Sequence, residues 1–426
     1  MEYSARMQSP GNVLVDRGLF RLITSFQDGL FLDVIALFKA WAAMPLPTKI
    51  ASMRDFLLEA MTEPLLVLHG AIAQNDARLV DLVLRCTHVK SAHAMDFASK
   101  TGALSVVRYL HTSGHAPSRR AMDYAAQNGH VEIVAFLHEH RREGCTRDAM
   151  DFAAQNGHLA VVEFLATAVN VGGTVKAMDW AARNGHLNVL RYLHEHRPEG
   201  CSAYAMDSAA KNGHVHVLRY LHSIDAPASH LALDAAAANG HMEAVQFLHM
   251  HRDEGCTVRA MDGAARFGLL DTVVFLHTHR TEGCSTEAVD AAAANGHEDV
   301  VRFLLTHRHE GASPFALHAA AVSGYVNILD CLHAHVPTMV CTSRALLHVV
   351  QVGQLAALRW LLDYQRGALD AIRDDLMERA ITYDRREIVE ELWASRLYTH
   401  VREGWVELAI EKHRPEIASY LTSRRH

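Results

Sequence analysis

Ser118-Arg119-Arg120-Ala121-Met122-Asp123-Tyr124-Ala125-Ala126-Gln127-Asn128-Gly129-His130-Val131-Glu132-Ile133-Val134-Ala135-Phe136-Leu137-His138 is the stretch on which the fold turns. Ser118 can cap a helix, because its hydroxyl accepts a hydrogen bond from a first-turn N–H that has no partner inside the helix. Met122, Ala125 and Ala126 stand at i, i+3 and i+4, one apolar stripe of a helix. Gly129 ends that helix, since the left-handed residue after a helix is cheapest as glycine. Ile133, Val134, Phe136 and Leu137 give a second helix one apolar face, and Gly144 closes it.

The pattern recurs along the chain. With Gly129 as phase zero, its equivalents are Gly102, Gly157, Gly185, Gly213, Gly240, Gly268, Gly296, Gly324 and Gly353, at steps of 27 to 29 residues. Asn75 fits one unit earlier, and Asp384 and His413 fit two degenerate later units. The cap phase holds Ser91, Ser118, Thr146, Thr174, Ser202, Ser229, Thr257, Ser285, Ser313 and Thr342. About thirteen helix-turn-helix units follow, from near Thr62 to Leu421. A chain of 426 residues built this way needs no single large core, because each unit leans on its neighbours.

Composition sets bounds on function. Half of the residues are hydrophobic and the formal charge is −7 with acids and bases interspersed, so neither disorder nor nucleic-acid binding is expected. No run approaches the roughly 18 apolar residues of a membrane span, and no secretory leader opens the chain. We expect a cytoplasmic monomer, with the nucleus as the alternative compartment. Of the seven cysteines, Cys145, Cys201, Cys256 and Cys284 share one repeat phase. Stacked helices stand about 8–10 Å apart, too far for such cysteines to pair, so buried thiols are expected.

Ser313-Pro314-Phe315-Ala316-Leu317-His318-Ala319-Ala320, followed by Gly324 and Ile328, resembles the ankyrin repeat, as does Leu68-His69-Gly70-Ala71. The resemblance covers most of the chain and implies an all-α, ankyrin-type helical solenoid that binds partner proteins and carries no catalytic site. Two departures stand out. The unit is about 28 residues against 33 for the family, so the loops should be short, with little or no β-hairpin. The family's histidine is aspartate at Asp96, Asp123, Asp151, Asp179, Asp207, Asp234, Asp262 and Asp290, while His69, His318 and His348 keep it.

Neither unusual side-chain series makes a reaction centre. One aspartate per unit is too widely spaced for paired acid–base work, and an early helical carboxylate gains from the helix dipole. The 31 histidines include His130, His158, His186, His214, His241 and His297 after the turn glycine, and pairs such as His138/His140 and His249/His251 at helix ends. Positions i and i+2 point to different sides of a helix, and no CxxC or HExxH anchors a site, so no metal is expected. Nucleotide-binding and hydrolase motifs are missing, so no cofactor and no enzymatic activity are expected.

In proteins similar to ankyrins, the residue after the aspartate and the residue three further on line the concave groove. Here these are Phe97, Tyr124, Phe152 and Trp180 on four consecutive units, with Lys100, Gln127, Gln155, Arg183 and Lys211 beside them. Aromatics beside Arg, Lys and Gln are typical interface anchors. These nine residues form the expected partner site. Residues 1–61 lack the repeat. Leu22 to Phe26 and Leu37 to Trp41 loosely resemble the later half of an F-box, which would make the chain a substrate adaptor of a ubiquitin ligase. The preferred reading is a helical cap over 1–61, the solenoid over 62–421 and a tail over 422–426.

Overall fold

The computed structural model describes residues 63–87, 91 and 93–424. The segment 1–61, expected to be a cap or an F-box-like adaptor, lies outside them. The described residues form α-helices, one π-helical segment (Leu165–Val169) and no strand. The short loops therefore run without a β-hairpin, as the 28-residue period predicts.

Contacts divide the chain into two compact units, 1–205 and 206–426, with the division inside helix Ala203–Lys211. The first unit is a row of helix pairs: Glu63–Ala73 with Ala77–Thr87, Ala94–Lys100 with Leu104–Thr112, Arg120–Gln127 with Val131–His140, Asp148–Gln155 with Leu159–Phe164, and Val175–Arg183 with Leu187–His196. Within it, first helices pack on first helices and second on second. The second unit repeats this arrangement, from Leu231–Ala238 with Met242–His251 to Glu403–Glu411 with Pro415–Ser423. An extra helix, Arg366–Asp370, lengthens one of its late repeats.

The alanine stripe sets the spacing. Ala125, Ala126, Ala153 and Ala154 are fully buried, and only so small a side chain lets first helices approach this closely. All thirteen phase-zero residues have positive φ, including Asn75, Asp384 and His413. At Gly129 the turn is a Schellman closure: His130 N–H donates to Ala125 O and Gly129 N–H to Ala126 O. The conformation is only half of the glycine's reason. A Cβ on Gly157 would stand 2.6 Å from the ring of His186, the turn histidine of the next repeat. The same ring-over-glycine contact joins His130 to Gly102 and His158 to Gly129 in the first unit, and His241 to Gly213 and His297 to Gly268 in the second.

Eight cap hydroxyls work as expected. From Ser118 to Ser313, each accepts the backbone N–H two residues ahead, at 3.1–3.2 Å. Thr342 accepts from Ala345 N–H. Ser91 departs from the expectation: its helix starts later, at Ala94, and His93 holds the cap position.

Candidate protein-binding site

The aspartates join each repeat to the one after it. In the first unit, Asp96, Asp123, Asp151 and Asp179 each accept two hydrogen bonds from the next cap, Ser118, Thr146, Thr174 and Ser202. One oxygen takes the cap residue's N–H and the other its hydroxyl, at 2.6–2.9 Å. Asp207, Asp234, Asp262 and Asp290 do the same for Ser229, Thr257, Ser285 and Ser313 in the second unit. Burial pushes the carboxyls of Asp123, Asp179, Asp207 and Asp262 above the usual range, and the cap hydrogen bonds pull them back. The series is structural, and it fixes the rotation of each first helix against the next.

That register presents the expected partner residues of the first unit. Tyr124, Phe152 and Trp180 are half-buried at equivalent positions of successive first helices. Phe152 and Trp180 stack, with ring centroids 5.7 Å apart and planes 16° from parallel. Lys100, Gln127 and Gln155 are half-buried beside them, and Arg183 is exposed and donates to the Tyr204 hydroxyl at 3.4 Å. Phe97 corrects the expectation. It is 2% exposed and its ring stacks on His69 of the preceding repeat, at 4.8 Å, so it belongs to the core. Lys211 is exposed but lies in the second unit.

Two contributors to this face escaped the sequence reading. Lys176 puts its ammonium 5.5 Å from the Trp180 ring centre, and Tyr204 is 45% exposed. Both sit two residues after a cap hydroxyl, which is four before the aromatic phase and therefore on the same helical side. Arg120 and Asp148 occupy the same phase and are exposed.

The histidine pairs form a ring ladder on the second helices. His140, His196 and His279 each lie on the aromatic ring four residues earlier and bond its carbonyl through Nδ1. His111, His249 and His277 meet the next repeat's aromatic edge-on. Among the described residues, no cluster of three His, Cys, Asp or Glu side chains is placed to hold a metal. The loops have their own link. Arg280 forks onto Glu282, whose carboxylate also accepts from Cys256 N–H of the previous loop, and Arg308, Glu310 and Cys284 repeat this. Burial works to raise Glu282, but Arg280 and the backbone N–H groups outweigh it and take the carboxyl to about 2. At Glu310 the Arg308 hydrogen bonds lead and the value is also about 2. Cys145, Cys201, Cys256 and Cys284 are unpaired, as their spacing predicts.

Paired helices repeated in register define a helical-repeat protein. Residues 94–176 match the family model described as ankyrin repeats (3 copies), and residues 178–222 match ankyrin repeats (many copies). Ankyrin repeats are thus shown over these two stretches of the chain. Such repeats generally mediate protein–protein interaction and are typically non-enzymatic. No curated protein matches the chain. Among solved structures, the crystal structure of the pentatricopeptide repeat protein PPR10 from maize is similar over 94% of this chain and 73% of that one, at 12% identity and a TM-score of 0.37. No helix among the described residues is long and apolar enough to cross a membrane.

Proposed function

We propose that the chain binds a partner protein through the first-helix face of its first unit, with Tyr124, Phe152 and Trp180 as anchors. The observation that carries this reading is their half-exposure on three consecutive helices whose relative rotation the aspartate–cap bonds fix. Rigid aromatics with polar neighbours supply contact area at little entropic cost. Lys100, Gln127, Gln155 and Arg183 surround them and provide the hydrogen-bonding rim. We take the repeat array to span 62–421, in a cytoplasmic monomer.

The test is affinity capture with the intact chain against a Tyr124→Ala/Trp180→Ala variant of equal helical signal. A partner lost with the variant supports the face; full retention of every partner refutes it. The adaptor alternative rests on residues 1–61 and is tested by co-purification with Skp-type and cullin proteins.

A further inference from the structure

The face just described carries an uneven charge. Arg120, Tyr124 and Gln127 stand at i, i+4 and i+7 of one first helix, Asp148, Phe152 and Gln155 on the next, and Lys176, Trp180 and Arg183 on the third. Arg120, Asp148, Lys176 and Arg183 are exposed, so the lattice holds three cations and one carboxylate on a chain whose net charge is −7. Arg120 and Lys176 make no ion pair among the described residues. Arg119 and Arg147, one position earlier on their helices, are exposed as well.

We propose that this face takes an extended acidic segment of a partner protein, with two carboxylates about six residues apart and an uncharged or basic middle; this rests on the binding face proposed above. The spacing comes from geometry. Arg120 and Lys176 are two helix steps apart, about 16–20 Å at 8–10 Å per step, and an extended chain at about 3.3 Å per residue spans that in about five to six residues. Charge complementarity assigns the ends, a carboxylate at Arg120 and another at Lys176 and Arg183. Asp148 stands between them and repels an acidic centre, so a uniformly acidic tract is selected against. The aromatics receive the segment's apolar side chains.

A single-stranded nucleic acid fits less well. Phe152 and Trp180 already stack on each other, which closes the gap a base would enter, and Lys176 covers the Trp180 ring. Asp148 also stands where successive phosphates would pass.

The experiment selects random displayed peptides of about twelve residues, a length that covers the site, on the intact chain. Expected are peptides with Asp or Glu about six residues apart whose binding falls with added salt. An Arg120→Glu/Lys176→Glu variant should lose about tenfold or more in affinity for them. An Asp148→Asn variant should gain about tenfold for a uniformly acidic peptide. No acidic excess among the selected peptides, or equal affinity of the charge-reversed chain, overturns the proposal. So does tighter, charge-dependent binding of an oligothymidylate. If the captured partner still needs Tyr124 and Trp180 while these peptides fail, the acidic chemistry is wrong and the face stands. If the partner ignores both aromatics, the face itself is wrong.

Discussion

Replacing Asp151 with alanine should open the first unit at one defined joint. Asp151 is 1% exposed, and its carboxylate accepts the Thr174 N–H and hydroxyl, both at 2.8 Å. The hydroxyl in turn accepts the Lys176 N–H at 3.1 Å. Alanine removes two hydrogen bonds to a charged acceptor, about 1.5–3 kcal/mol each, and part of this is returned because the carboxylate is no longer desolvated. A net loss of about 2–4 kcal/mol follows. Asparagine should cost less, about 1 kcal/mol, since it keeps an acceptor for the N–H and loses only the hydroxyl's partner. One global unfolding free energy describes a long repeat array poorly, so the readout is amide exchange, helix by helix. Protection over Val175–Arg183 should fall about 30- to 1000-fold in the alanine variant and about fivefold in the asparagine variant. A change below about threefold with alanine would refute the relay as a stabilising joint, as would equal losses in the two variants.

Gly157→Ala should destabilise the first unit locally by about 2–4 kcal/mol, from the left-handed backbone and the displaced His186 ring, and His186→Ala in the same chain should restore part of it, measured by amide exchange over Asp148–Gln155 and Leu159–Phe164. The Glu282 and Glu310 carboxyls lie at about 2 when folded, against an ordinary 4.5. Their stabilisation is therefore complete above 4.5 and lost as pH falls towards 2, and a Glu282→Gln/Glu310→Gln variant should show a flatter stability profile in that window. Burial holds His158 and His249 below the usual 6.5, so they contribute stability above 6.5 that is lost on acidification; alanine at both should shrink that loss in a thermal-melt series across mild acid. Burial lifts the thiols of Cys256 and Cys284 to about 11 and about 12, so iodoacetamide should alkylate them about 100-fold more slowly in the folded chain than in urea.

Most of the fold was legible because repetition turns weak signals into strong ones. A lone Asn-Gly-His says little, but thirteen positions in one phase predicted thirteen left-handed turns, even where the residue is Asn75, Asp384 or His413. The missing hairpin followed from the length of the unit. What stayed hidden lies between repeats. Asp151 and Thr174 are 23 residues apart, so helical periodicity within one unit gives no hint that they bond. The exposure of Phe97 was misjudged for the same reason, because its cover is His69 of the previous repeat. The phase of Lys176 and Tyr204 sits one helical turn before the aromatics, on the same helical side but outside the family's two groove positions.

The aspartate bonds between repeats all point one way: each carboxylate reaches forward to the residue that starts the following repeat's first helix, and among the described residues none reaches back to the repeat before. The two ends of such a row are therefore not equivalent. Trimming from the front strips the new leading helix of the acceptor for its starting residue, whereas trimming from the back merely frees a carboxylate to meet water. During synthesis, too, each emerging helix finds its acceptor already in place on the chain made before it, so growth from the ribosome and the grain of the molecule run in the same direction.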